Sequence, residues 1–309
     1  MNSIYVDSKL DDIKRRRLLY EGQLFVYSPR PSSRAFCDFA ARMIQEAFGK
    51  EDPTTAQFDM PVEEFVRIFA PLKPAFIHNP ETKRLIQAML EDFGCDMDAT
   101  YLDVPRLRAV TSDAYLTSGV GYAHHPHRDT WYSAPMCQLN WWLPIFEMAS
   151  ESSMAFHPRY WTERVKNGSS RFNYYAWNST GRAEAAKHIK TDTREQPKPE
   201  EPMDLDPQVR VISEPGGALI FSAAQMHSTV PNTSGRTRFS IDFRTVNLHD
   251  VKTKTGPPNI DSEPVGTSLR DFMKGSDLTR MPEDVVALYD DEEAREGVLV
   301  YQPGAVSAK

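Results

Sequence analysis

Apolar positions follow two rhythms along this chain. Through the first hundred residues they recur at helical spacing. "SSRAFCDFAARMIQEAFGK" begins with serine and ends near glycine, and "PVEEFVRIFAPL" and "NPETKRLIQAMLEDFG" repeat the pattern, with Asn79 as N-cap and Gly94 as stop. A short apolar run, "QLFVYSP", predicts one early strand ended by Pro29. From about residue 100 the period becomes that of strands. "YLDVPRLRAVTSDAYLTSG" and "APMCQLNWWLPIFEM" are rich in β-branched and aromatic residues, and "RVISEPGGALIFSAAQMHSTVPN" reads as strand, tight turn, strand. "TRFSIDFRTVNL" alternates strictly: Phe239, Ile241 and Phe243 on one face, Arg238, Ser240, Asp242 and Arg244 on the other.

Helices followed by many strands predict one α+β domain over 1–309, with an antiparallel sandwich or barrel. Its parts are a mainly helical stretch (1–99), a strand-rich core (100–250) and a loop-rich C-terminal extension (251–309). The extension carries one short helix in "MPEDVVALYDD". Residues 158–207 interrupt the core. They include "TDTREQPKPEEPMDLDP", whose proline and charge content predicts an exposed insertion.

Composition narrows the function classes. A net charge of −7 disfavours nonspecific binding to nucleic acid or anionic membranes. The dense basic cluster "KRRR" (Lys14 to Arg17) lies among acidic neighbours and reads as a solvated helix face. Cys37, Cys95 and Cys137 are scattered and predict neither a disulfide framework nor a zinc ribbon. No apolar run reaches membrane-spanning length, and the N-terminus lacks a signal-peptide core, so a cytoplasmic location is expected.

The candidate chemistry sits in "HHPHRDTW", His124 to Trp131. His127 and Asp129 have the form HxD, and on a strand residues two apart point the same way. His227, at the end of an apolar strand, supplies a third donor. Two histidines and one carboxylate make the facial triad of non-haem Fe(II) oxygenases, with three adjacent positions open. Ten residues intervene between His227 and Arg238, and Ser240 lies two further on.

With HxD, a distal histidine and this arginine, the sequence resembles the Fe(II)- and 2-oxoglutarate-dependent dioxygenases over roughly residues 100–246. "EPGGALIFSAAQMHSTVPN" resembles the phytanoyl-CoA dioxygenase-like branch. The resemblance implies a double-stranded β-helix (jelly-roll, cupin-like) core flanked by the N-terminal helices. It implies Fe(II) on His127, Asp129 and His227, 2-oxoglutarate on Arg238 with Ser240, and O2 as co-substrate. The implied reaction is oxidation, most simply hydroxylation, of a C–H bond in a small polar metabolite, with release of succinate and CO2. Desaturation, cyclisation and epimerisation share the same oxidant, and a place in secondary metabolism is expected. Asp129 argues against a halogenase, in which a small residue replaces the carboxylate.

Other polar residues fall near this site. Gln138 and Asn140, amides on an otherwise apolar strand, are expected to contact cosubstrate or substrate. Trp131, Tyr132, His125, His157 and Arg244 are candidates for the substrate region, with plain packing, or an Arg244–Asp242 salt bridge, as the competing reading. "RYWTERVKNGSSRFNYYAWN" is either a closing lid or a solvated helix and loop. His124 is expected outside the pocket, and His78, His188 and His249 on the surface or in loops. Two other classes stay open. One is a cupin-like metal enzyme that uses His125, His127 and His227 without 2-oxoglutarate. The other is a non-catalytic jelly-roll binding module.

Overall fold

The structure, a computed structural model, describes residues 3–118, 125–178 and 196–290. His124, His188, part of the 158–207 insertion and the end of the C-terminal extension lie outside the described residues.

The helices are α1 (Asp12–Tyr20), α2 (Pro31–Phe48), α3 (Val62–His78) and α4 (Pro80–Asp92). Asn79 caps α4, its side chain accepting from the Glu81 N–H at 2.9 Å. Gly94, at φ +75°, follows the helix in the left-handed conformation that favours glycine. The third helix departs from the sequence expectation, because it runs through Pro71 and Pro74 to His78. Each internal proline costs about 3 kcal/mol. The burial of Phe65, Phe69, Leu72 and Phe76 along one face, at roughly 1.5–3 kcal/mol each, offsets that. The extension matters later, since it carries Lys73 and His78 to the site.

The strands are β1 (Ile4–Val6), β2 (Leu24–Tyr27), β3 (Thr100–Leu102), β4 (Arg106–Val110), β5 (Leu139–Pro144), β6 (Met154–Phe156), β7 (Val209–Val211), β8 (Ala218–Ser222), β9 (His227–Thr229), β10 (Arg238–Asn247) and β11 (Met273–Lys274). The larger sheet runs β1-β2-β8-β5-β10-β3-β11, with β4 also paired to β10. The smaller runs β7-β6-β9. Pairing is antiparallel except between β1 and β2, a strand pair of which the sequence reading had only the second member.

Register decides which side chains meet. Phe243 faces Trp141, Ile241 faces Leu143, and Trp141 faces Ile220. This apolar side packs on the helices; Phe239, for example, lies 5.6 Å from Phe69 and 6.3 Å from Phe48 between ring centroids. On the other side Arg244 faces Asn140, Asp242 faces both Trp142 and Arg106, and Ser240 faces Arg108. That polar side turns toward the small sheet. Trp142, Leu219 and Phe221 of the large sheet form one cluster with Met154, Phe156 and Val211 of the small one. The alternation in β10 therefore separates core from cavity, not core from solvent.

The turn before β8 shows why "EPGG" is needed. Gly216 has φ +82° and its N–H donates to Pro144 O at 3.0 Å, and an added Cβ would stand 3.0 Å from the Arg34 Cα. "KRRR" also differs from expectation. Arg15 is buried, donating to Phe93 O (2.7 Å) and Asp12 (2.7 Å), and Arg16 reaches Asp12 and Asp250. Half the cluster is an internal anchor for α1, because a carbonyl (Phe93) and a carboxylate (Asp250) from distant segments reach it alongside Asp12 of the same helix. The insertion is likewise not wholly exposed: Tyr160, Val165, Phe172, Tyr174 and Tyr175 are buried. No helix among the described residues is long and apolar enough to cross a membrane.

Candidate metal centre

His127 and His227 stand directly opposite one another in a short antiparallel bridge. Each N–H donates to the other's carbonyl, at 2.9 and 3.0 Å. Their rings lie 4.3 Å apart. His127 Nδ1 is 2.8 Å from His125 O and His227 Nδ1 is 3.0 Å from Gln225 O. A carbonyl only accepts, so each Nδ1 carries a proton, and each ring turns its Nε2 toward Asp129. Phe221 (4.9 Å) and Phe156 (6.2 Å) pack on the His227 ring and limit its rotation.

Asp129 is not on a strand, as the HxD parity argument assumed. It opens a short 3-10 turn, Asp129–Tyr132. That turn swings the carboxylate toward both imidazoles: its Oδ1 is 3.2 Å from His127 Nε2 and 3.8 Å from His227 Nε2. Donor atoms of His127, Asp129 and His227 all lie within 4.8 Å of one another, and all three residues are buried. Burial tends to raise the Asp129 carboxyl, but His127 and the nearby Arg244 and His227 outweigh it and hold it well below the usual range. Burial, aided by His127, pushes His227 down to about 3. The triad therefore presents an ionised carboxylate and a neutral His227 ring at neutral pH, the forms a divalent cation binds.

Arg128, between the two HxD ligands, is a residue the sequence reading passed over. It points away from the triad into a buried pair with Asp261 (2.9 Å), and also donates to Ala224 O and Tyr160 O. Asp261 further accepts from Trp131 Nε1 (2.8 Å) and the Val165 N–H (3.0 Å). Nothing local marks this role, since Asp261 lies in the C-terminal extension. Replacing Asp261 with alanine strands three buried donors. The variant is expected to lose about 3–5 kcal/mol of stability, measured by denaturant unfolding, and to loosen the turn that aims Asp129.

A cavity of about 470 Å³ opens beside the triad. His127, Asp129, His227, Gln138, Asn140, Tyr132, Arg238 and Arg244 all line it. Ser240 lies beneath, fully buried. Gln138 Nε2 donates to Asn140 Oδ1 at 3.1 Å, making one amide pair on the cavity wall. The other candidates are placed differently. His125 turns its Nε2 to Pro197 O (2.6 Å) because the chain there is not a through-running strand. Trp131 is fully buried against Asp261, and His157 is buried between Ser228 Oγ (2.9 Å) and Leu205 O (3.2 Å). None of these three is among the cavity-lining residues. Lys73 from α3, Arg106 and Arg108 from the sheet, and Asp271 also line the cavity without having been sequence candidates; His78, expected on the surface or in a loop, lines it from the end of α3, and Asp242, expected as a partner of Arg244, lines it too. Alternation on β4 and β10 marked the sheet residues; no local signal marked the others. From the insertion, Phe172, Tyr174 and Trp177 form the wall beyond Tyr132.

Arg238 differs from its neighbours. Arg108 pairs with Asp242 (2.6 Å), Arg106 with Asp103 (2.5 Å), and Arg244 with Asp242 (3.2 Å). Arg238 makes no ion pair among the described residues. It donates to Ser152 O at 3.1 Å and lies 5.4 Å from the Trp142 ring, but its buried Nε has no partner. The buried Ser240 Oγ also lacks one. Burial lowers Arg238 to about 10, which leaves it charged at neutral pH. A buried, charged and incompletely paired guanidinium is costly unless an anion completes it.

No family model and no curated protein matches the chain. Among solved structures it is similar to apo ThoJ, a non-heme monooxygenase (12% identity, 69% of this chain and 70% of that one, TM-score 0.41). It is also similar to SnoK, a non-heme alpha-ketoglutarate-dependent carbocyclase from nogalamycin biosynthesis (12% identity, 77% and 85%, TM-score 0.43). A third is AviO1 from Streptomyces viridochromogenes Tue57 (14% identity, 81% and 99%, TM-score 0.39). None of the three is described as a phytanoyl-CoA dioxygenase.

Proposed function

We propose that the protein is an Fe(II)- and 2-oxoglutarate-dependent oxygenase on a double-stranded β-helix core. The observation that carries this reading is the buried His127–Asp129–His227 triad opening on the cavity that the under-paired Arg238 also lines. The donor set suits Fe(II), with room for ligands on the cavity side. When bound, the iron, 2-oxoglutarate and O2 together supply the oxidation of a substrate C–H bond, with release of succinate and CO2. Within that scheme Arg238 clamps the far carboxylate of 2-oxoglutarate through its planar fork, with Ser240 Oγ as a further donor. Gln138 and Asn140 offer amide contacts beside it.

The substrate is a small polar metabolite, hydroxylated in the simplest outcome, in a cytoplasmic secondary pathway. The cavity volume falls in the usual small-molecule range. Arg106, Arg108 and Arg244 already hold carboxylates, so this wall offers donors and acceptors with little uncompensated charge. Together with the aromatic wall of Tyr132, Phe172, Tyr174 and Trp177, that favours a hydroxyl-bearing compound over a strongly charged one. The cupin-like alternative needs His125 as a ligand, whereas its Nε2 is directed to Pro197 O.

Anaerobic addition of Fe(II) and then 2-oxoglutarate should produce a visible metal-to-ligand charge-transfer band. Succinate release should then depend on an added substrate. Iron binding without the band would overturn the reading, and a band without succinate from any polar metabolite would favour a binding module.

A further inference from the structure

The two oxygens of Asp129 face different partners. Oδ1 faces the Nε2 atoms of both histidines, at 3.2 and 3.8 Å, whereas Oδ2 lies 3.5 Å from Arg244 Nε. Arg244 is itself held from two sides. Its Nη1 is 3.2 Å from Asp242 Oδ2 and 3.6 Å from Asp103 Oδ2. Its backbone N–H donates to Asp103 Oδ1 at 2.7 Å, and its carbonyl accepts from the Asp103 N–H at 3.0 Å. Asp103 and Asp242 are anchored in turn by Arg106 and Arg108. The guanidinium next to the triad is thus fixed by a chain of alternating charges across β4, β10 and the β3–β4 link.

We propose that Arg244 is a positioning residue that occupies the second oxygen of Asp129 and keeps this carboxylate a one-oxygen ligand. The inference rests on the metal reading above. A carboxylate binds a metal through one oxygen or both. If both oxygens of Asp129 turned to the ion, they would fill one of the three positions that a chelating 2-oxo acid and O2 need between them. With Oδ2 engaged by Arg244, only Oδ1 is presented. The same contacts assign Arg244 away from substrate: three carboxylates already surround it.

The test separates metal binding from the number of positions left open beside the ligands. Fe(II) and 2-oxoglutarate are titrated anaerobically into wild type, Arg244→Gln and Arg244→Lys, following tryptophan fluorescence and the charge-transfer band. Arg244→Gln is expected to bind Fe(II) within a few-fold of wild type. Its charge-transfer band should be displaced, and on mixing with O2 the loss of that band should slow by about 10–100-fold, the usual effect on activity of removing a partner of a ligand. Arg244→Lys should recover part of that rate. An unchanged band and an unchanged rate of its loss with O2 in Arg244→Gln overturn the proposal, as does a rise confined to the KM for substrate. Loss of folding or of Fe(II) binding in both variants also overturns it, by assigning Arg244 to the scaffold. A wild-type protein that binds neither Fe(II) nor 2-oxoglutarate defeats the oxygenase reading itself.

Discussion

Replacing Asp129 with alanine should abolish Fe(II) binding in the micromolar range and reduce succinate formation to background. The carboxylate is the triad's anion, and burial keeps the neighbouring His227 ring neutral. Without it a divalent cation would sit between two histidines and Arg244, whose positive charge repels it. The fold should survive, because Arg244 keeps Asp242 and Asp103 as partners. Circular dichroism and thermal unfolding of the metal-free variant should therefore match wild type, while metal titration should show more than about a hundredfold weaker binding, beyond the ~10–100-fold lost when only a ligand's outer partner is removed. His125→Ala is the control. It should leave metal affinity within a few-fold, whereas greater damage than Asp129→Ala would restore the cupin-like alternative.

The second large effect is expected at Arg238. Arg238→Met keeps much of the side-chain volume and removes the charge. Losing one partner of a buried charged pair costs about 2–5 kcal/mol, and every 1.4 kcal/mol is about tenfold in affinity. The 2-oxoglutarate dissociation constant should thus rise by about 30-fold or more, with Fe(II) affinity unchanged. Arg238→Lys should fall between, because a point charge replaces a planar fork. The stability of the ligand-free protein moves the opposite way. Arg238 is buried with its Nε unsatisfied, so Arg238→Met should unfold at the same temperature or a higher one. Equal 2-oxoglutarate affinity in wild type and Arg238→Met would sink the assignment.

These two residues and Arg244 are tuned by one arrangement. The sheet turns its aromatic side to the helices and its charged side to the cavity. The charges on that side are tolerated because they are paired: burial would raise Asp242, but Arg108 and Arg244 hold it down at about 2. Arg238 is the exception: among the described residues it has no ion pair, and its buried Nε has no hydrogen-bond partner.

Much of this was legible along the chain. Residue periodicity determined which segments are helices and which strands, because burial of one face imposes its own period. The alternation of β10 separated Phe239, Ile241 and Phe243 from Arg238, Ser240, Asp242 and Arg244. Residue type and spacing singled out His127, Asp129, His227 and Arg238, since few side chains can serve as metal or carboxylate ligands. What the sequence could not determine is non-local. The HxD pair converges through a 3-10 turn and a two-histidine bridge, not through strand parity. Arg15 and Arg16 are drawn inward because Phe93 O and Asp250, distant in sequence, meet them there. Helix α3 passes two prolines because packing outweighs them, and so delivers Lys73 and His78 to the cavity. Only the tertiary structure decided which arginines are already paired. That depends on carboxylates from other strands, and covalent order sets no distance between side chains more than a few residues apart.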